Sequence, residues 1–286
     1  MGYVMRFDRD SGSSAPQNED TAECRVCGGN AARLARARVL DRYDVQYFRC
    51  DDCGLTQTER PYWLSEAYSS PIARSDVGLV ARNLVFAAST KAIIEAFFDR
   101  RAQFLDYGAG YGLFVRLLRD QGYDFRWSDR YTENLFALGH EADSAAGQFE
   151  LLTAFEVFEH LANPIESLEE MLTYSSSILF STTLMPASLP GPRDWWYYAL
   201  YSGQHVVLYS RKALEALAAR AGRRLYSDGR SLHLLTDRVI SASAFSLLCR
   251  FRVAKVANLF TRRPSLTQAD YDAAIRASDT GSTSHR

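Results

Sequence analysis

The sequence predicts an α/β fold: a doubly wound, mostly parallel sheet closed by an antiparallel C-terminal hairpin, with a small cysteine-bearing ribbon in front of it. Three observations predict this. Apolar runs of strand length alternate with helical patterns from residue 103 to residue 221, the signature of parallel strands joined by crossover helices. One such run, Phe104-Leu105-Asp106-Tyr107, leads into Gly108, Gly110 and Gly112 at alternate positions before a helical pattern opens at Leu113. Two C-x-x-C pairs, Cys24/Cys27 and Cys50/Cys53, precede all of it.

In chain order, residues 9–22 are polar and lack aromatics, so residues 1–22 read as a disordered lead-in. Charges stand where the apolar stretch of a secretory leader belongs, and Arg6 stands where a myristoylation signal needs a hydroxyl. The longest apolar candidate for a membrane span, residues 245–260, is interrupted by Arg250, Arg252 and Lys255. A cytoplasmic protein is therefore expected.

Residues 23–60 form the ribbon, and residues 40–49 bring the second cysteine pair to the first. Each pair is followed by glycine, Gly28 or Gly54. In a reducing compartment, four thiolates at this spacing match a tetrahedral Zn²⁺ site that is closed, and hence structural. The fifth cysteine, Cys249, sits in an apolar run and is expected to be buried and inert.

Residues 61–100 read as a helical connector, with Leu79, Val80, Leu84, Val85, Ile93, Ile94, Phe97 and Phe98 at helical spacing. The α/β core spans 101–240. Its first strand is 103–107, followed by a helix over 113–122, and its second strand is 124–128, ending at Asp129. A helical stretch over 131–140 comes next, then a strand at 149–153. Only a stub at 141–148 is left for a third strand, which is expected to be short or irregular. Pro164 opens a helix to residue 174, since proline suits a first turn, and 178–182 is another strand. Ser210 caps a helix over 212–221 that Gly222 ends. Asp228-Gly229-Arg230 between 224–227 and 231–235 marks a hairpin. Residues 241–286 are a helical extension with one clear pattern at 266–275.

The glycine run is D-x-G-x-G-x-G, not the G-x-G-x-x-G of dinucleotide folds. It resembles the first motif of class I S-adenosylmethionine-dependent methyltransferases, whose Rossmann-like order of elements agrees with the reading above. A paired cysteine module ahead of such a core is similar to bacterial small-molecule and sugar methyltransferases. The resemblance implies S-adenosylmethionine as cofactor, with Asp106 near its ammonium group. Tyr107, Gly108, Gly110 and Gly112 would then lie beneath it against bare backbone amides. Asp129, a two-oxygen acceptor at a strand end, suits the ribose hydroxyls. The acid contacting the adenine is left open between Glu141 and Asp143.

The run from Leu151 to Pro164 resembles the fourth-strand motif of many small-molecule methyltransferases. It implies that Phe155 and Glu156 flank the cofactor and that His160 lies near the transfer centre. Glu159 is expected to hold the loop, and the sequence shows no complete set of metal ligands there. The long segment Met185, Pro186, Arg193, Trp195, Trp196, Tyr197, Tyr198, Tyr201, Gln204 and His205 is suited to gripping an acceptor. His205 is the first choice as base or hydrogen-bond partner, and His160 the second.

The expected function is methyl transfer to a small molecule, such as a sugar or nucleotide-linked sugar. One alternative is an RNA methyltransferase gripping RNA through Arg25, Arg33, Arg36, Arg38, Arg42 and Arg49, although Asp41, Asp44, Asp51 and Asp52 offset these. With 33 basic residues against 34 acidic ones, the whole chain lacks the excess a dedicated nucleic-acid binder carries. The other alternative is a scaffold that keeps the fold without catalysis; the oligomeric state is left open.

Overall fold

The computed structural model describes residues 20–69, 76–143 and 148–281, and residues 1–19 of the expected lead-in lie outside the described residues. The N-terminal part is an antiparallel sheet of β1 (Thr21–Glu23), β2 (Asn30–Val39), β3 (Tyr43–Cys50) and β4 (Thr56–Thr58). β2 and β3 pair from Ala31↔Cys50 to Val39↔Tyr43, which carries the second cysteine pair back to the first. Both pairs turn through left-handed glycines, Gly28 at φ 78° and Gly54 at φ 71°, where a side chain would be strained. The connector holds α1 (Leu64–Ala67) and the long α2 (Leu79–Phe97).

The core follows as β5 (Gln103–Tyr107), α3 (Leu113–Arg119), β6 (Asp124–Ser128), β7 (Leu151–Ala154), α4 (Pro164–Tyr174), β8 (Ile178–Ser181), β9 (Val207–Leu208), α5 (Arg211–Arg220), β10 (Arg224–Ser227) and β11 (Leu232–Thr236). Three helices end the chain: α6 (Ala242–Leu248), α7 (Phe251–Asn258) and α8 (Thr267–Gly281). The second sheet has the order β10-β11-β8-β7-β5-β6. Its β6, β5, β7 and β8 run parallel, while β11 and β10 are antiparallel. Strand order reverses at β5, so the glycine turn leaves its carboxyl end into the crevice where open α/β sheets bind ligands. The Ser210 cap also forms, its Oγ accepting the Ala213 amide at 3.0 Å.

One expected helix does not form. Residues 131–140 are turns and bends. Asp129 Oδ1 accepts the amides of Tyr131 and Thr132 at 2.7 and 2.8 Å, and Asn134 Oδ1 accepts that of Ala137 at 2.9 Å. Such side-chain bonds compete with the helical ladder. The apolar spacing that suggests a helix leaves Leu135, Phe136 and Leu138 exposed. The third strand is reduced to a single parallel bridge, Trp127↔Glu141, and residues 144–147 of the expected stub lie outside the described residues.

The ribbon is bonded into the core. β9, far along the chain, pairs with β4 and becomes the fifth strand of the first sheet. Ser210 Oγ donates to the Cys53 carbonyl at 2.5 Å. Val26, Leu55 and the cysteines share one apolar cluster with Phe180, Tyr209, Leu214 and Leu217. At the other end, α6 and α7 pack on α2, burying Phe245 and Ala254, so residues 245–260 cover the core. Cys249 there is half-buried, less than expected, and burial raises its thiol above the ordinary range. Asp270 ties α8 down by accepting from Arg116 and Arg119 at 2.7–2.9 Å. Among the described residues, no helix is long and apolar enough to cross a membrane.

Candidate active site

A cavity of about 1750 Å³ opens at the carboxyl edge of β5, β6 and β7 and continues to the ribbon. Single small-molecule pockets are usually ~300–1000 Å³, so this one exceeds the needs of one ligand. Its floor at the sheet end is acidic. Asp106 is 3% exposed and accepts a hydrogen bond from Thr153 Oγ1 at 2.6 Å. Burial pushes its carboxyl up to about 7, with the Asp129 charge adding and Thr153 opposing.

The glycine turn does a different job from the one expected. The Gly108 and Ala109 amides both donate to the Ser128 carbonyl, Gly112 donates to the Ala109 carbonyl, and Gly110 donates to Asp129 Oδ2 at 2.9 Å. These four amides are engaged inside the protein, so the turn offers close approach in place of bare donors. A Cβ at Gly108 would stand 2.7 Å from Val157, and one at Gly112 would stand 2.8 Å from Asn134 Oδ1. At Gly110 a Cβ would meet nothing within 4 Å. Asp129 spends one oxygen on Gly110 and the other on Tyr131 and Thr132, so it braces the turn while still lining the cavity.

Tyr107 is half-buried in the same wall. Phe155 stacks on Phe86 at 4.4 Å and meets Phe114 edge-on at 5.0 Å. Glu156 has φ 55°, held by a reciprocal pair with Ser181: its amide donates to Oγ, and Oγ donates to Oε1, both at 2.7 Å. Its other oxygen faces Arg82 at 3.6 Å, and Asp76 holds that guanidinium by two bonds. Arg82 and Phe86 come from α2, which the sequence assigned only to packing. Glu141 accepts from Asn134 at 2.7 Å, and neither it nor Asp143 lines the cavity, so the adenine contact is not found at either.

At the far end, two histidines 45 positions apart meet with ring centroids 4.9 Å apart at 82°. His205 Nδ1 bonds the Tyr197 carbonyl at 2.7 Å, and His160 Nδ1 pairs with the Tyr68 hydroxyl at 3.0 Å. Burial holds both rings neutral: His205 falls to about 4, and His160 falls well below its usual value, with His205 adding to the effect. Tyr68, from the connector, stacks on Tyr131; the sequence reading missed it, and nothing in its local pattern marks it.

Glu159 lies beneath the pair, fully buried, and neither carboxylate oxygen has a hydrogen-bond partner. The Tyr197 and Thr182 hydroxyls stand near enough to favour its charged form, but outside hydrogen-bond geometry. Burial, then the Glu156 charge, pushes Glu159 up to about 8. The expected loop-holding role therefore falls to its main chain, whose carbonyl accepts the Val206 amide at 2.9 Å. The aromatic segment divides. Tyr197 and Tyr198 are core residues, whereas Trp196 and Tyr201 are 72% and 61% exposed at the cavity mouth.

The four cysteines meet, with Cys24–Cys53 and Cys27–Cys50 sulfurs at 3.5 and 3.4 Å, and one ligand atom from each all within 4.8 Å. This is a set of four thiols of the kind zinc takes. Arg25 and Gln57 of this ribbon also line the cavity. Several of the ribbon's arginines are engaged: Arg36 with Asp44, Arg42 with Glu66, and Arg25 with the Thr58 and Glu59 carbonyls, whereas Arg38 is exposed.

CalO1, a methyltransferase of calicheamicin biosynthesis solved in its SAH-bound form, is 14% identical with a TM-score of 0.42, over 56% of this chain and 54% of CalO1. The chain thus spans about half the length of that protein. The plantazolicin methyltransferase BpumL in complex with SAH is 15% identical with a TM-score of 0.41, over 60% of this chain and 94% of that one. Human N-acetylserotonin methyltransferase in complex with SAM is 15% identical with a TM-score of 0.39, over 63% and 67%. Likeness at this level carries no argument about what this chain acts on, and no curated protein matches it. The family model described as a methyltransferase domain, however, matches residues 80–227, more than half of the chain and the whole run from α2 through β10. On that match the chain belongs to the methyltransferase domain family.

Proposed function

We propose that the chain transfers a methyl group from S-adenosylmethionine to a small-molecule acceptor of the sugar or nucleotide-linked sugar class. The cofactor lies over the turn 108–112, with its ammonium toward Asp106 and its ribose toward Asp129. Tyr107, Gly108, Gly110, Gly112, Phe155 and Glu156 surround it. The acceptor lies beyond, against His205 and His160, which meet its reacting oxygen or carbon as base or hydrogen-bond partner. Methyl transfer from an activated sulfonium is mainly a matter of alignment, which can contribute ~7–11 kcal/mol.

The observation that carries this reading is the cavity. It joins the acidic sheet edge to a buried neutral histidine pair and is larger than one ligand requires. Trp196 and Tyr201 beside Gln57 and Gln204 give it the mixed apolar and polar lining that suits a polyhydroxylated acceptor. The balance of 33 basic against 34 acidic residues, with Arg36 and Arg42 facing Asp44 and Glu66, speaks against an RNA-gripping face. The four cysteines hold a structural Zn²⁺ in this reading, which goes with a reducing, cytoplasmic setting.

Incubation with methyl-labelled S-adenosylmethionine and a cell extract, followed by separation of small molecules from RNA, tests the acceptor class. Label on a sugar or nucleotide-sugar fraction is expected. Label confined to RNA overturns the acceptor class. No label, together with no cofactor binding, overturns the whole reading.

A further inference from the structure

We propose that the outer face of α7 and the segment after it, residues 250–263, seats the protein on an anionic lipid surface. The inference goes beyond the methyl-transfer reading and does not depend on it.

The first observation is charge. The chain as a whole is balanced, yet from Arg238 to Ala269 it carries six basic residues and no acidic one. Two of the six are taken: Arg238 bonds Glu150 at 2.8 Å, and Arg263 donates to the Gly122 carbonyl at 3.1 Å. Arg250, Arg252, Lys255 and Arg262 are exposed, and among the described residues none of the four has an acidic partner. Elsewhere on the surface Arg36, Arg42, Arg100 and Arg211 each face a carboxylate. The excess of positive charge is therefore local to this face.

The second observation is what stands between these charges. α7 buries Ala254 and half-buries Val253, Ala257 and Asn258, with Asn258 Nδ2 donating to the Ala88 carbonyl of α2 at 2.8 Å. Four residues apart on the opposite face come Phe251, Lys255 and Leu259, and beside them Arg252, Val256 and Phe260. All six are exposed, Val256 at 57%, Leu259 at 65% and Phe260 at 84%. Lys255 Nζ lies over the Phe251 ring at 5.4 Å. Covering the core uses the inner face and leaves these side chains unexplained. Apolar groups set singly between long basic ones suit a bilayer boundary, where the first enter the acyl edge and the second reach the headgroups.

The third observation is a place for a phosphate. Lys91 of α2 is buried, and burial lowers its ammonium below the ordinary range, with Glu95 opposing and the Arg262 and Arg263 charges adding to the effect. Glu95 is itself engaged by Arg100 and by the Tyr123 hydroxyl. Three cations thus share one engaged carboxylate next to the projecting Phe260. A lipid phosphate there relieves their repulsion.

Other occupants fit this face less well. A second copy docking through the same patch sets like charges against like. RNA would meet the basic residues, but Val256 and Leu259 offer no ring on which a base can stack. An anionic leaflet satisfies both halves of the pattern. α2, on which α7 rests, also lines the cavity with Leu79, Val80 and Phe86. Ala88 and Val80 are about 12 Å apart along that helix, so docking holds one wall of the cavity close to the lipid surface.

Sedimentation of the full chain with vesicles tests this, comparing phosphatidylcholine alone with a mixture of phosphatidylcholine and phosphatidylglycerol. Binding to the mixture is expected to be ~tenfold or more tighter than to phosphatidylcholine alone, and to be reversed by added salt. The pair Arg252→Gln and Lys255→Gln, and the pair Leu259→Ser and Phe260→Ser, should each weaken it by ~tenfold or more. The melting temperature should stay that of the wild type, because all four side chains are exposed. No binding to the mixture, equal binding to both lipids, or variants that bind as the wild type does overturns the inference. Retention of single-stranded RNA, or self-association through α7, without vesicle binding overturns it as well and identifies the other occupant.

Discussion

At one end of the cavity Asp106, the glycine turn and Asp129 belong to a single strand-helix-strand unit, in which Ser128 and the Asp129 carboxylate hold the turn. At the other end Arg25, Tyr68, Glu159, His160 and His205 come from the ribbon, the connector, the β7–α4 turn and the segment before β9. The bonds of the glycine turn are local, and only Thr153 of β7 reaches Asp106 from farther along the chain, so this end should be the less sensitive to rearrangement elsewhere. The second exists only while distant parts of the chain stay docked. Cofactor binding and methyl transfer should therefore separate under mutation and metal removal.

The largest separation comes from stripping the four-cysteine site. Structural zinc of this kind supplies ~10–16 kcal/mol of apparent folding energy. Because β4 pairs with β9 and Ser210 bonds Cys53, its loss loosens the segment carrying His205 as well as the ribbon. A strong chelator is expected to abolish transfer and lower the melting temperature while cofactor affinity changes little. Parallel calorimetry and rate measurement check this. An equal loss of both would mean that the ends are not independent.

His205→Ala comes next. Removing the acceptor-side imidazole should lower kcat by ~10²–10⁴-fold, with cofactor affinity unchanged. At the opposite end, Asp129→Ala should weaken cofactor binding by ~10–100-fold, the scale of one hydrogen bond to a charged group. Because Asp129 also braces the amides of Gly110, Tyr131 and Thr132, Asp129→Asn is the companion variant. It keeps an oxygen acceptor and should lose less.

The subtlest effect near neutrality is one of pH. Asp106 is raised from 3.8 to about 7, so the folded, unliganded protein binds more protons than the unfolded chain between those values. Its contribution to stability therefore falls as pH rises from about 4 to about 7. A cofactor ammonium beside it favours the charged carboxylate and expels that proton. Affinity should climb with pH by up to ~tenfold per unit below 7 and then level off. Calorimetry in buffers of different ionisation enthalpy reads the proton release, and Asp106→Asn should remove it.

The same division decides what could be read from sequence. β5 and β6 have the bounds the apolar runs predict, and Pro164, Ser210 and Asp228-Gly229 mark their elements, because strand, cap and turn chemistry act over a few residues. The segment 131–140 departs from its helical spacing because Asp129 and Asn134 take amides that a helix would need. The bare amides assumed for the glycine turn are spent on Ser128 and Asp129, a pairing that depends on β6 lying alongside. His160 and His205 could be named singly, but not their contact, nor the burial of Glu159 beneath them. Those depend on β9 crossing to the ribbon sheet, which no local signal announces.

Titration of S-adenosylhomocysteine into wild-type, Asp129→Ala and His205→Ala protein tests the central claim most directly. One saturable site in the wild type, unchanged in His205→Ala and strongly weakened in Asp129→Ala, is the predicted result. No binding in the wild type, or equal weakening in both variants, would contradict it.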